Sequence, residues 1–346
     1  MTKIIALISF FCLYLPVGGA TGKPDKLFSS EDILQLELRS DFTALQKNRT
    51  EEPVWFDGVL VYYQPDGTSL KIDVKVSVRG NFRLKPENCS FPPLLIDFKK
   101  ESVKNTLYED QNRLKLVTPC QDEEDLLDEY IVYRLYNQVT EFSFRVRLAK
   151  IFYFDTRTNE PLFVRYSFFL EDEERMAKRN NAKVTEKFYT PFDLDYESYK
   201  KLSVFQYIIG NKDWYAVSRK NIVIVQPSDS TMKPVAVPYD FDFSGFVGAS
   251  YTKQDKLPAY SMGYRRGYKG ICYSEKEFLE VFDYFRKMRQ SFLKIIKNEE
   301  SLSPVGRYNL ADYIRYSISL LRSRYILKNE FLKNCETKEL YNISSK

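Results

Sequence analysis

Apolar residues change their spacing several times along this chain, and each change predicts an element. From Val54 they alternate with polar ones, so residues 58–63 and 69–78 read as strands. Pro65-Asp66-Gly67 lies between them, with proline fixing φ and glycine accepting the positive φ of a tight turn. Residues 93–98 and 113–117 predict two more strands. The period then lengthens: Leu127, Ile131, Leu135 and Val139 recur at every fourth position, behind acids at 122–125 that suit a helix N-terminus. Strands at 145–155 and 162–170 follow, joined by a turn at 156–161.

Beyond a polar stretch at 171–187 the spacing is mostly helical. Residues 196–209 have a helical pattern, and 222–226 and 234–238 read as short strands. Phe278, Val281, Phe282 and Phe285 share one helical face, and a further helix is expected over about 309–334 through Ile314, Ile318, Leu321 and Ile326. Near the start, Ser29 or Ser30 is placed to cap a short helix with Glu31 and Asp32 in its first turn. The expected organisation is α+β: a leader at 1–20, a linker and short helix at 21–53, a β-rich lobe with one helix at 54–174, and a mostly helical lobe at 175–346.

The leader rests on Lys3, an apolar run at 4–17, and then Gly18, Gly19 and Ala20, the three parts of a cleavable signal peptide. The run is short for a bilayer span and is broken by Pro16. Export is therefore expected, with Thr21 as the new N-terminus and no membrane span after cleavage. Export changes the reading of the cysteines. Cys12 leaves with the leader, and Cys89, Cys120, Cys272 and Cys335 permit two disulfides. Cys89 with Cys120, both in the β-rich region, is the preferred pair, and buried free thiols are the alternative. Basic and acidic residues number 52 and 47 and are interspersed, so no nucleic-acid stripe is implied. Aromatic residues make up 16% of the chain, and their alternation on strands favours core packing over sugar binding.

The chain contains no histidine. That excludes Ser-His-Asp triads, Cys-His dyads and histidine-ligated metals, and leaves carboxylates, lysine or a hard cation to carry any chemistry. Two segments offer such groups. In the first, Asp213 follows a helix and leads to Asn221, just before a strand. In the second, Asp240 and Asp242 alternate with Tyr239, Phe241 and Phe243 ahead of Gly245, and strand alternation would turn both acids to one face. Phosphoryl transfer uses such a set: a carboxylate to accept the proton of the attacking hydroxyl, and oxygen ligands to hold magnesium against phosphates.

These segments resemble those of the CotH-type protein kinases, a family with an atypical kinase-like fold. The resemblance extends over about residues 55–245. Arg79-Gly80-Asn81 with Phe91-Pro92-Pro93, the helix at 125–140, and Phe168-Phe169-Leu170-Glu171 look like further parts of that family's pattern. It implies a two-lobed protein-kinase-like fold, with Asp213 as catalytic base, Asn221 as metal ligand, and Asp240 or Asp242 as the metal-binding aspartate. Three features depart from kinase patterns. Asp213 and Asn221 are eight residues apart rather than the usual about five, Asp97 falls where the family often has lysine, and there is no GxGxxG loop. Lys115 is then the best phosphate-binding lysine, with Glu129 or else Glu124 as its ion-pair partner, and Arg79 is an alternative phosphate ligand.

The expectation is an exported kinase-like protein that transfers the γ-phosphoryl group of ATP to a protein hydroxyl with Mg or Mn. The protein substrate is unknown. A non-catalytic kinase-like scaffold and a metal-dependent phosphoester hydrolase are its rivals.

Overall fold

Alternation builds the first half. The computed structural model describes residues 25–64, 66–252 and 266–345; the leader expected at 1–20 lies outside these. Seven strands close into a barrel: β1 (Leu34–Ser40), β2 (Phe56–Tyr63), β3 (Ser69–Val78), β4 (Leu94–Phe98), β5 (Arg113–Val117), β6 (Val146–Asp155) and β7 (Glu160–Leu170). Their order around the barrel is β1-β2-β3-β4-β5-β7-β6. In β3, Ile72, Val74 and Val76 are buried while Lys71, Asp73 and Lys75 are exposed, the two-residue period of a strand with one wet face. β1 closes the ring, antiparallel to β2 (Leu38↔Leu60) and parallel to β6 (Leu36↔Ile151). The interior is filled by residues such as Leu36, Leu38, Ile96, Leu114, Tyr153 and Phe169. Each such burial contributes about 1.5–3 kcal/mol relative to exposure.

The segment expected to hold a linker and short helix supplies β1 instead. Leu34, Leu36 and Leu38 point inward while Gln35 and Arg39 point out, so period two wins. Ser30 gives its hydroxyl to Asp32 in a local turn (2.5 Å) rather than capping a helix. The first helix, α1 (Phe42–Lys47), comes later, capped by Asp41, whose carboxylate accepts from the Ala44 N–H (2.8 Å).

A second core lies outside the barrel. The helix α2 (Glu123–Asn137) packs on β6 and β7 with one side and reaches the C-terminal part with the other. Tyr136 meets Phe205 at 4.8 Å between ring centres and Tyr133 meets Phe241 at 4.9 Å, both tilted or edge-on as ring quadrupoles favour. Phe205 belongs to α4 (Tyr196–Ile208), which follows the short helix α3 (Glu173–Arg179). Three short strands, β8 (Ala182–Val184), β9 (Ile222–Pro227) and β10 (Val235–Pro238), form a second antiparallel sheet in the order β10-β9-β8.

The remainder is mostly helical. α5 (Glu275–Asn298) begins with a capping box between Ser274 and Glu277, and α6 (Pro304–Leu320) begins with Pro304 behind the cap Ser303. The single helix expected over 309–334 is broken. α6 ends at Leu320, and Ser323 caps a new turn that runs on into Leu327–Leu332. Disulfides join Cys89 to Cys120, the preferred pair, and Cys272 to Cys335. Among the described residues, no helix is long and apolar enough to cross a membrane.

Candidate functional site

The chain leaves β3 at Val78 and turns on Gly80, whose φ of +101° suits glycine. A single 3-10 turn, Phe82–Leu84, then directs Arg83 inward. The Arg83 guanidinium donates to Asp242 Oδ2 from Nη2 (2.8 Å) and Nε (3.2 Å), and Nη2 also reaches Glu129 Oε2 on α2 (3.3 Å). Asp240 Oδ1 stands 3.7 Å away. The Tyr251 hydroxyl donates to the same Asp242 oxygen (2.8 Å), and its ring lies 5.3 Å from the guanidinium. Arg83, Glu129 and Asp242 are all buried. The Cys89–Cys120 disulfide ties the loop carrying Arg83 to the residues just before α2, which carries Glu129.

Asp240 and Asp242 do not sit on a strand. β10 ends at Pro238 and Asp240 is left-handed (φ +57°), so alternation does not apply. The two acids converge instead because Arg83 draws on both. The Asp240 N–H donates to the Tyr133 hydroxyl (2.8 Å), which holds the unusual turn in place. Although the Asp240 side chain is half exposed, desolvation by the protein packed around it raises its carboxyl to about 6, and Asp242 adds to this, while Arg83, Arg79 and Lys115 oppose it. The Glu129 carboxyl is likewise pushed up by burial against the pull of Arg83.

Lys115 sits mid-strand in β5, between the inward-facing Leu114 and Leu116. It points into the same cleft, with Nζ 5.4 Å from the Tyr239 ring centre. The expected pair with Glu129 is not made, because Arg83 holds that carboxylate. Glu124 is not its partner either, since that side chain accepts from Ser303 (3.1 Å). Burial lowers the Lys115 ammonium, and the nearby Arg79 charge lowers it further. Arg79 is half-buried and its own guanidinium is lowered by burial. Among the described residues, neither cation has a side-chain hydrogen bond or ion pair with a carboxylate.

The second cluster grows from the end of α4. Asn211 Oδ1 accepts from the Asp213 N–H (2.8 Å), bending the chain so that the Asp213 carboxylate meets Lys220 and the Asn221 amide. Asn221 Nδ2 donates to Asp213 Oδ2 (3.0 Å) and to its carbonyl (2.7 Å). The long spacing is absorbed by a small loop. Tyr215 and Lys220 exchange backbone hydrogen bonds (3.0 Å each), so residues 216–219 stand out and Asn221 returns to Asp213. Asn221 immediately precedes β9 and Asp240 follows β10. The Tyr239 N–H donates to the Asn221 carbonyl (3.1 Å), beside the ladder pair Ile222↔Pro238, so the hairpin sets the two clusters side by side.

The metal set expected of Asn221, Asp240 and Asp242 fits only in part. Asp242 Oδ2 is taken by Arg83 and Tyr251, and among the described residues no group of three or more acidic or sulfur ligands converges. Asp240 remains: its side chain is 48% exposed, and one carboxylate suits magnesium, which completes its shell from phosphates and water. Arg83, Tyr251, Tyr133 and Lys220 escape a reading of the sequence alone. The one signal for Arg83 is a second arginine four positions after Arg79. Comparison with known proteins finds no matching family model, no similar curated protein and no matching solved structure at a significant level.

Proposed function

We propose that this cleft binds ATP and transfers its γ-phosphoryl group to a protein hydroxyl, and that the protein does so after export. The observation that carries the reading is the hairpin β9–β10, which brings Asn221, the partner of Asp213, beside the turn of Asp240, itself close to Arg79 and Lys115, two cations that among the described residues make no ion pair with a carboxylate. Half-buried cations of this kind suit phosphate oxygens, whose charge they would neutralise away from bulk water. The resemblance of these same segments to CotH-type kinases, and the kinase-like two-lobed fold it implies, belong to this reading.

Asp213 is the candidate base. The substrate oxygen attacks the γ-phosphorus, the bond to the leaving ADP oxygen breaks, and the hydroxyl proton passes to the Asp213 carboxylate. Asn221 and Lys220 hold that carboxylate in place. Arg79 and Lys115 would orient the phosphates, and Asp240 would hold a magnesium or manganese ion, which supplies charge neutralisation at the phosphates when bound. A second reading, a kinase-like scaffold without catalysis, is favoured by Arg83, which occupies the carboxylate of Asp242 in place of a metal. An activity assay combined with calorimetry separates the two. The chain from residue 21 onward is titrated with ATP, with and without Mg or Mn, and then with the D240A and K115A variants. Metal-dependent binding lost in both variants, with labelling of a protein acceptor abolished by D213N, supports the kinase. A folded sample that binds no nucleotide with either metal sinks it and leaves the scaffold.

A further inference from the structure

The two halves of α5 treat their charges differently. In the first, Lys276 pairs with Glu280, and Arg286 and Lys287 pair with Asp283, at helical spacing. In the second, Lys294 and Lys297 make no ion pair within the helix among the described residues, and Glu300, three positions after Lys297, lies beyond the helix end at Asn298. Across from them on α6 stand Arg307, with Ser303 and Ala311 one turn away, and Arg315, which has Asp312 three positions before it but, among the described residues, no ion pair with it. The four cations rim one groove of about 540 Å³ between the two helices. Leu293 and Ala311, both half-buried, line it, and Tyr308 stands 67% exposed in it. Lysines and arginines that look dispersed along the chain are thus gathered by the helix pair onto one face.

We propose that this groove docks an acidic peptide segment of a protein partner, with an apolar side chain on the Leu293–Ala311 floor and flanking carboxylates on Lys294, Lys297 and Arg315. Arg307 is partly committed, since its Nη1 donates to the Glu299 carbonyl (2.9 Å). The volume holds a few side chains, which suits a short segment rather than a folded domain. Charge complementarity names the ligand class, and the surroundings narrow it. Past Lys294 the surface carries Asp32 and Glu300, while Glu31 and the buried Glu299 are paired with Arg134, so a long polyanion such as a nucleic acid would meet carboxylates as well as cations. A short peptide ends before that border. The apolar floor and exposed tyrosine also match the amphipathic character of a peptide anchor.

The test uses a short fluorescein-labelled peptide with a single leucine flanked by glutamates, titrated by anisotropy against the full chain without nucleotide. Its outcome is therefore independent of whether the cleft transfers phosphate. Saturable binding is expected, weakened about tenfold by K297E/R315E, less by Tyr308→Ala, and unchanged by K276E on the paired half of α5. Should the double variant misfold, Lys294→Glu at an exposed position gives the same reading. Absence of saturable binding overturns the proposal, as does equal weakening by K276E or unchanged binding in both groove variants. A duplex oligonucleotide that binds the groove more tightly than the peptide also overturns it, in favour of a general polyanion surface.

Discussion

The two polar clusters of the cleft use the same kinds of residue in opposite settings. Around Arg83, the acids Glu129 and Asp242 are buried, and one guanidinium satisfies both while a tyrosine completes the second. Around Asp213, the partners Lys220 and Asn221 are more open, with side-chain exposures of 57% for Lys220 and 28% for Asp213. Burial makes the first cluster a requirement for folding and leaves the second free to exchange partners. An arginine-locked pair of acids and a more exposed carboxylate therefore differ chiefly in their access to solvent.

The comparison is broken most directly at Arg83. R83A leaves two buried carboxylates facing each other, and the expected loss is about 3–5 kcal/mol in urea unfolding. Adding E129Q and D242N to R83A should recover at least half of it. A loss below about 1 kcal/mol would mean that the buried network is not a unit.

The pH dependence sharpens the contrast. The folded Asp240 carboxyl titrates above its usual 3.8, so between that value and about 6 the folded state holds more proton than the unfolded one. Stability from this group is present at low pH and declines as pH rises through that window. After discounting for a side chain that is half exposed, the expected effect is about 1 kcal/mol. Unfolding midpoints of the wild-type protein and D240N, compared below and above this window, should diverge in favour of D240N at the higher pH. Parallel profiles would remove the desolvated carboxylate from the account.

The smallest effect belongs to Lys220. K220A removes an exposed partner of Asp213 and should change stability by no more than about 0.5 kcal/mol. Under the phosphotransfer reading it should still slow protein labelling. A large stability loss would place Asp213 among the structural groups instead.

What was legible in the sequence followed period. The strands from β2 to β7 and the helix α2 stand close to where alternation and fourfold spacing predict them, because a residue's face depends on its near neighbours. The chemistry was legible only as far as it was local. Asn221 returns to Asp213 across a protruding loop, a contact between two residues that local sequence already singled out. Lys115 does not pair with Glu129, since that choice depends on Arg83, which lies 46 positions from Glu129 in the chain and reaches it through the fold. The first strand was hidden for a related reason: Glu31 and Asp32 resemble a helix start, and the barrel partner that makes 34–40 a strand lies at β6. The break after Leu320 turns on a single cap, Ser323, inside a continuous apolar pattern.

The bond between Cys89 and Cys120 has a consequence for timing. It closes a stretch of 31 residues that contains β4 and β5, and it holds the arginine loop against the helix that completes the cleft. In a reducing cytoplasm those thiols stay apart, and only weaker forces position Arg79 and Arg83. A newly made chain would therefore finish its cleft only where oxidising conditions let that bond form.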